Sequence, residues 1–421
     1  MKKLDSYEIA HLPTLDTVVN HFKEEEQDFL DNGGWWSDSR LNVIPPDACW
    51  HFPNMDYRNN ASDDKFIITQ TVSKRHTLKP NLRLHCFLYR GQNRVYDNII
   101  SSFGREELDK GNPLALEEYR KKHLLSNLKA EEFMALLKTH PLFMMLDRGI
   151  VLAPERRPIF INMNYYGLAQ HYNFHTGLID FTSDIESAAF FACTQNNGDD
   201  QYEPITDTNK YPYGVLYVHR INPELTFKFW GFSTIGLQLY PRTGAQKGYC
   251  YNEGKMPTDV NSIVEKVLFK HDPFVSKKYC ERKKNGSLLF PTDSISKYAK
   301  EILNGNEISG ATFIQNLYSN QDSFDENMQV LQQNNISVNW HKQMHFTGEM
   351  LQDLGQDLKN GLWEEFCKQI YIPDENKGKE MHESLLNLPK NPAYSHYFNI
   401  NEYERITYYD SYLHKRAKNI Q

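Results

Sequence analysis

Between residues 15 and 30, Leu15, Val18, Val19, Phe22, Phe29 and Leu30 recur at helical spacing around an acidic run, which predicts an amphipathic helix. Gly33-Gly34 supplies its stop. Residues 35–53 are rich in Trp and Pro and follow neither the helical nor the strand period, so an irregular strap over the main domain is expected. Residues 82–89 alternate and then become continuously apolar, as a strand does on entering a core. Residues 114–140, rich in Ala, Leu, Glu and Lys with no Pro or Gly inside, predict a long helix.

Further along, residues 185–194 predict a helix, 196–212 an acidic loop long enough to serve as a lid, and 214–220 and 233–240 two strands. Beyond about residue 290 the pattern turns helical, with segments 296–303, 307–318, 323–334, 348–358 and 362–370 separated by Asn, Gly or Pro. A boundary is placed near Ser287. The expected organisation is an N-terminal helix and strap over 1–60, an α+β domain over 61–286 with a helical insertion at 105–160, and a helical region over 287–421.

Composition narrows the function classes. A chain of 421 residues is long enough for two or three domains, and a hydrophobic content of 40% is ordinary for a globular protein. The net charge of −7 gives no electrostatic reason to expect DNA, RNA or an anionic membrane as partner. The cluster Lys277, Lys278, Arg282, Lys283 and Lys284 reads as a solvated turn ahead of Gly286 in preference to a phosphate-binding patch. No apolar run approaches the roughly 18 residues that span a bilayer, and Met1-Lys-Lys-Leu-Asp-Ser is followed by no apolar stretch of the secretory kind. The six cysteines are scattered and form no CxxC, which points to reduced thiols, a cytoplasmic location and no structural zinc.

The candidate chemistry lies in three separated segments. In Tyr89-Arg90-Gly91-Gln92, Arg90 ends a predicted buried strand; its planar fork suits a phosphate or carboxylate, or else a core carboxylate such as Asp180. Gly91 would admit an anion close to the backbone. In Gln170-His171-Tyr172, a hydrogen-bonding His and a stacking Tyr suit a pocket wall, and the glycines nearby argue against a metal pair with His175. Asp180, between Ile179 and Phe181, requires Arg90 or His171 as a partner, or a raised pKa. Thr182 precedes Ser183-Asp184-Ile185-Glu186, which fits a capping box with Ser183 as N-cap, and such a helix start also attracts anions. Gln246 follows a turn-rich stretch, and its amide can orient a hydroxyl but cannot act as a general base. GxGxxG, Walker, GxSxG and HExxH patterns are absent.

Together these segments resemble the FRG domain, a bacterial family named for a Phe/Tyr-Arg-Gly tripeptide, here Tyr89-Arg90-Gly91. The family's second motif, QHYGxxTxLxDWT followed by a helix, is matched by Gln170, His171, Tyr172, Thr176, Asp180, Thr182, Ala188 and Phe190-Phe191-Ala192. Its Ala-Gln-x-Gly element is matched by Ala245, Gln246 and Gly248. Asn173, Gly177 and Phe181 depart from the pattern, and Gly177 removes an Arg that could make a second anion contact.

A more distant likeness is to ADP-ribosyltransferases. It implies a largely antiparallel split sheet with flanking helices, and NAD as co-substrate without a metal. Arg90 would then hold the pyrophosphate with the Ser183 helix start, Thr182 and Ser183 would shape the nicotinamide side, Tyr172 or Phe181 would stack, and Gln246 would hold the ribose hydroxyls. Arg90, Ser183 and Gln246 are the implied catalytic set, with Tyr89, Gly91, Gln92, Gln170, His171, Tyr172, Asp180, Phe181 and Thr182 binding the ligand. Glu253 is a nearby acid that could replace Gln246. The resemblance implies an NAD-dependent enzyme acting as a toxin or anti-phage effector, with a protein or nucleic acid as acceptor, or alternatively a non-catalytic nucleotide-binding module.

Overall fold

The computed structural model describes residues 4–32, 62–70, 75–81, 84–96, 99, 101, 113–152, 158–198, 200–222, 226, 231–252, 260–320, 323–342, 344–372 and 376–398. The expected strap at 35–53, the Gly33-Gly34 stop, Glu253 and the Tyr-rich tail beyond 398 lie outside them. Helix α1 (Ser6–Ala10) precedes α2 (Leu15–Asp31), which buries Leu15, Val18, Val19 and Phe22 as its period predicts. Strands β1 (Phe66–Gln70) and β2 (His76–Pro80) pair antiparallel beside the main sheet.

That main sheet contains β3 (Phe87–Gln92), β4 (Leu178–Thr182), β7 (Tyr213–Arg220), β8 (Phe232–Thr234), β9 (Gly248–Asn252) and β10 (Glu265–Lys270), in the order β10-β7-β3-β4-β9-β8. Every pairing in it is antiparallel. Between β4 and β7, a short hairpin joins β5 (Thr194–Asn196) to β6 (Tyr202–Pro204), overlapping the start of the 196–212 segment expected to be a loop long enough for a lid. Period-two burial divides β3: Phe87 and Tyr89 join a cluster with α2, and Leu88 joins one with Ile179, Phe181, Tyr217 and Tyr249.

The helices between and beyond the strands are α3 (Pro113–Lys138), α4 (Pro141–Arg148), α5 (Tyr165–His171), α6 (Ile185–Cys193), α7 (Arg242–Ala245), α8 (Pro273–Arg282) and α9 (Ile295–Asn304). Then come β11 (Glu307–Ser309), α10 (Gly310–Asn320), α11 (Phe324–Gln333), β12 (Ser337–Asn339), α12 (Gly348–Lys359), α13 (Leu362–Lys368) and α14 (Asn376–Leu386). The architecture is mixed α+β with a largely antiparallel sheet. Residues of β1, α3–α5 and the C-terminal helices share one core cluster, among them Phe66, Phe133, Phe143, Trp363 and Phe366. No described helix is long and apolar enough to cross a membrane.

Three sequence expectations shift. The strand expected at 82–89 runs instead from Phe87 to Gln92, because Arg90, Gly91 and Gln92 continue the ladder with Tyr217, Leu216 and Val215. The strand expected at 233–240 stops at Thr234: Gly236 turns at φ +69°, and a Cβ there would lie 2.0 Å from the Leu78 carbonyl oxygen. Its apolar residues are buried all the same, since Ile235, Leu237 and Tyr240 pack without strand geometry. Residues 307–318 divide into β11 and α10 because β11 pairs in parallel with β12, and buried Glu132 accepts hydrogen bonds from the Ser309 amide and hydroxyl.

Candidate functional site

Strands β3 and β4 share a single registered pair, Tyr89 with Thr182. Past that point β3 follows β7 while β4 follows β9, so the sheet opens between Arg90–Gln92 and Leu178–Phe181. Across the opening, Arg90 Nη1 donates to the Asp180 carbonyl at 2.9 Å. A cavity of about 380 Å³ occupies this region, within the roughly 300–1,000 Å³ of small-ligand sites. It brings together residues of all three motifs: Tyr89, Arg90, Gly91 and Gln92; Gln170, His171, Asp180, Phe181 and Thr182; and Gln246.

The second motif orients Asp180. The Thr176 hydroxyl donates to Gln170 Oε1, which turns the amide so that Nε2 donates to Asp180 Oδ2 at 3.0 Å. Asp180 Oδ1 is buried and has no hydrogen-bond partner among the described residues, nor does Gln92 Oε1 on the opposite strand. His171 Nε2 is likewise buried without one, and burial holds the His171 imidazole below its ordinary pKa, against the pull of the Asp180 charge. An uncompensated buried polar atom costs about 1–3 kcal/mol, and Asp180 and Gln92, which each carry one, both line the cavity.

Several expected roles are corrected. Ser183 is not among the cavity's lining residues; it is buried, its hydroxyl has no hydrogen-bond partner among the described residues, and Asp184 is the N-cap of α6. The Asp184 carboxylate accepts from the Glu186 and Ser187 amides at 3.1 and 3.2 Å, so the helix start is already filled by an anion of the chain itself. Burial opposes that charge, yet the Lys283 ammonium 2.7 Å away keeps Asp184 below the usual carboxylate range. Glu186 does not reach back to the cap; it pairs with Lys23 and Arg282 at 2.6 and 2.9 Å.

Tyr172 also lies away from the cavity. Its hydroxyl donates to Asp293 Oδ2 and its ring lies 4.7 Å beneath the Arg242 guanidinium. Gly91 lines the cavity, but its missing side chain serves packing: a Cβ there would come within 1.8 Å of the Ala188 carbonyl oxygen on α6. Tyr89 directs its ring toward Phe22 and Phe87 in the core. The Thr182 hydroxyl is engaged structurally, donating to the Gln246 carbonyl at 2.7 Å and accepting from the Asp184 amide at 2.9 Å. Gln246 is buried, and its Nε2 donates to the Leu289 carbonyl at 3.0 Å.

Sequence reasoning did not assign a wall to Tyr202 and Phe290, whose rings stack at 5.2 Å on one side of the cavity beside Phe191. The length of the 196–212 segment was the only signal for Tyr202. The basic cluster spans a helix end and the turn after it: Lys277, Lys278 and Arg282 lie on α8, Lys283 caps that helix and Lys284 opens the turn to Gly286, and Lys278 pairs with Asp16 at 2.8 Å. Buried Arg242 fastens the β5–β6 hairpin, donating to Asp200 Oδ2 at 2.8 Å and to Ser296 Oγ at 3.0 Å. Among the described residues, no group of three or more His, Cys, Asp or Glu is arranged to hold a metal ion.

Residues 85–201 match the family model described as the FRG domain, a span holding the first two motifs but not Gln246. No curated protein and no solved structure matches the chain.

Proposed function

We propose that the FRG domain of residues 85–201, completed by the Gln246 segment, binds an NAD-like nucleotide in the cleft between β3 and β4 and cleaves its nicotinamide–ribose bond, transferring the ADP-ribosyl group or hydrolysing it. The observation that carries the reading is the convergence of Arg90, Asp180 and Gln246 on one cavity from three distant segments. Phe181, Phe191, Tyr202 and Phe290 offer apolar faces for a planar ring. The unpartnered Gln92 and Asp180 oxygens accept hydrogen bonds, which suits ribose hydroxyls and a carboxamide NH₂.

Among the described residues Arg90 is the one Lys or Arg along the cavity, and the start of α6 is occupied by Asp184, so the pyrophosphate would rest on that guanidinium without help from a helix dipole. The bound nucleotide would supply a glycosidic bond that breaks through an oxocarbenium-like transition state. The chain would hold the phosphate end through Arg90 and the hydroxyls through Gln92 and Asp180.

A second reading, a nucleotide-binding module without turnover, is favoured by Gln246, whose amide nitrogen is tied to the Leu289 carbonyl and which carries no acid. The test is nicotinamide release from NAD by the purified chain. Release abolished in Arg90→Ala supports the enzyme. A rise in melting temperature with NAD but no release supports the binder. Neither effect rejects both.

A further inference from the structure

We infer that Asp180 is the proton-accepting carboxylate of this site, held in place by the relay from Thr176 through Gln170, and that Gln246 is structural. The inference rests on the nucleotide reading above and supplies the acid which that reading lacks at Gln246.

Three observations carry it. Among the described residues, Asp180 and Arg90 are the formally charged Asp, Glu, Lys or Arg residues along the cavity, so the carboxylate chemistry they offer there is that of Asp180. Its two oxygens are in different states: Oδ2 is fixed by Gln170, whose amide is itself oriented by Thr176, while Oδ1 has no hydrogen-bond partner among the described residues. Across the opening Arg90 donates to the carbonyl of Asp180, and among the described residues no ion pair between Arg90 and the Asp180 carboxylate is formed. A carboxylate anchored at one oxygen and uncommitted at the other has the arrangement of a positioned general base.

In the step, the bond between the anomeric carbon and the nicotinamide nitrogen breaks with its electron pair leaving on nitrogen. The oxygen of water or of an acceptor hydroxyl bonds to that carbon, and its proton passes to the Asp180 carboxylate. No oxidant or reductant takes part. The negative charge of Asp180 would also stabilise the positive charge that develops on the sugar. Gln170 and Thr176 are positioning residues, since they act through Asp180.

The test compares wild type, Asp180→Asn and Gln170→Leu in two measurements, the rise in melting temperature with NAD and the steady-state release of nicotinamide. Asp180→Asn is expected to melt cooperatively, to be stabilised by NAD less than the wild type because a group that holds the hydroxyls is altered, and at saturating NAD to release nicotinamide about 100-fold more slowly or less. Gln170→Leu is expected to lower kcat about tenfold or more with KM within threefold, a split that lost folding would not produce. Release by Asp180→Asn within threefold of wild type overturns the assignment and leaves the nucleotide reading standing. An Asp180→Asn chain that no longer melts cooperatively makes Asp180 structural and overturns it as well. A wild type that NAD stabilises without release, or that NAD does not affect, overturns it together with the enzymatic reading.

Discussion

Gly91 sits so close to Ala188 that a Cβ on it would lie 1.8 Å from the Ala188 carbonyl oxygen and 2.7 Å from the Ala192 amide nitrogen. The glycine of the family tripeptide is therefore the contact through which α6 rests on β3. Gly91→Ala forces backbone apart, not a flexible side chain, and is expected to cost about 3 kcal/mol or more. Urea unfolding checks it, and a loss below about 0.5 kcal/mol would contradict the packing role.

Arg242 joins the third motif, the β5–β6 hairpin and the start of α9. Its side chain is 6% exposed and its partners Asp200 and Asp293 are 13% and 4% exposed, so Arg242→Met strands carboxylates in the interior. A loss of roughly 3–5 kcal/mol is expected. Amide hydrogen exchange should rise first over residues 194–204; uniform exchange across the chain would deny the hairpin its dependence on Arg242.

Installing an acid at the third motif is expected to fail. Gln246→Glu replaces the donor that meets the Leu289 carbonyl with a second oxygen, in a residue that is 8% exposed. The expected cost is about 2 kcal/mol with no gain in nicotinamide release. An increase in release with stability retained would return Gln246 to the centre of the chemistry.

His85 makes stability depend on pH. Burial disfavours its charge, but Asp63 at 2.6 Å and Glu26 at 3.5 Å raise its pKa to about 9. Lys247 also pairs with Asp63, so the charges facing the imidazole come from α2, the turn before β1 and the third motif. A pKa raised in the folded state means that the contribution is whole below about 6.5 and is lost as pH rises through about 9. At about 1.4 kcal/mol per pH unit, the contribution is on the order of 3 kcal/mol. Wild type should exceed His85→Gln in stability at pH 6 and lose most of that advantage by pH 10; a difference constant with pH would refute the linkage.

The helices were the most legible part of the fold. Residues 15–30, 114–140 and 185–194 carry local periodicity, and the structure places helices at Leu15–Asp31, Pro113–Lys138 and Ile185–Cys193. Strand ends were less legible, because a strand ends where its neighbour does: β3 continues through Gly91 only because Leu216 lies opposite. At the site, the pattern located Arg90, Gln170, Asp180 and Gln246 but assigned side-chain direction poorly. Tyr172 and His171 are adjacent, yet one contacts Asp293 and the other lines the cavity.

Residue types and their order along the chain determined which elements form and which side chains were candidates for chemistry, because helical period, strand period and motif spacing are local properties. Only the tertiary structure decided that β3 and β4 part after Tyr89 and Thr182, that Asp184 and not Ser183 caps α6, and that one Asp180 oxygen is held by Gln170 while the other has no hydrogen-bond partner among the described residues. Each of these depends on which distant group arrives opposite a given atom. Hydrogen bonds and close contacts are satisfied between segments far apart in the chain, so local pattern does not encode them.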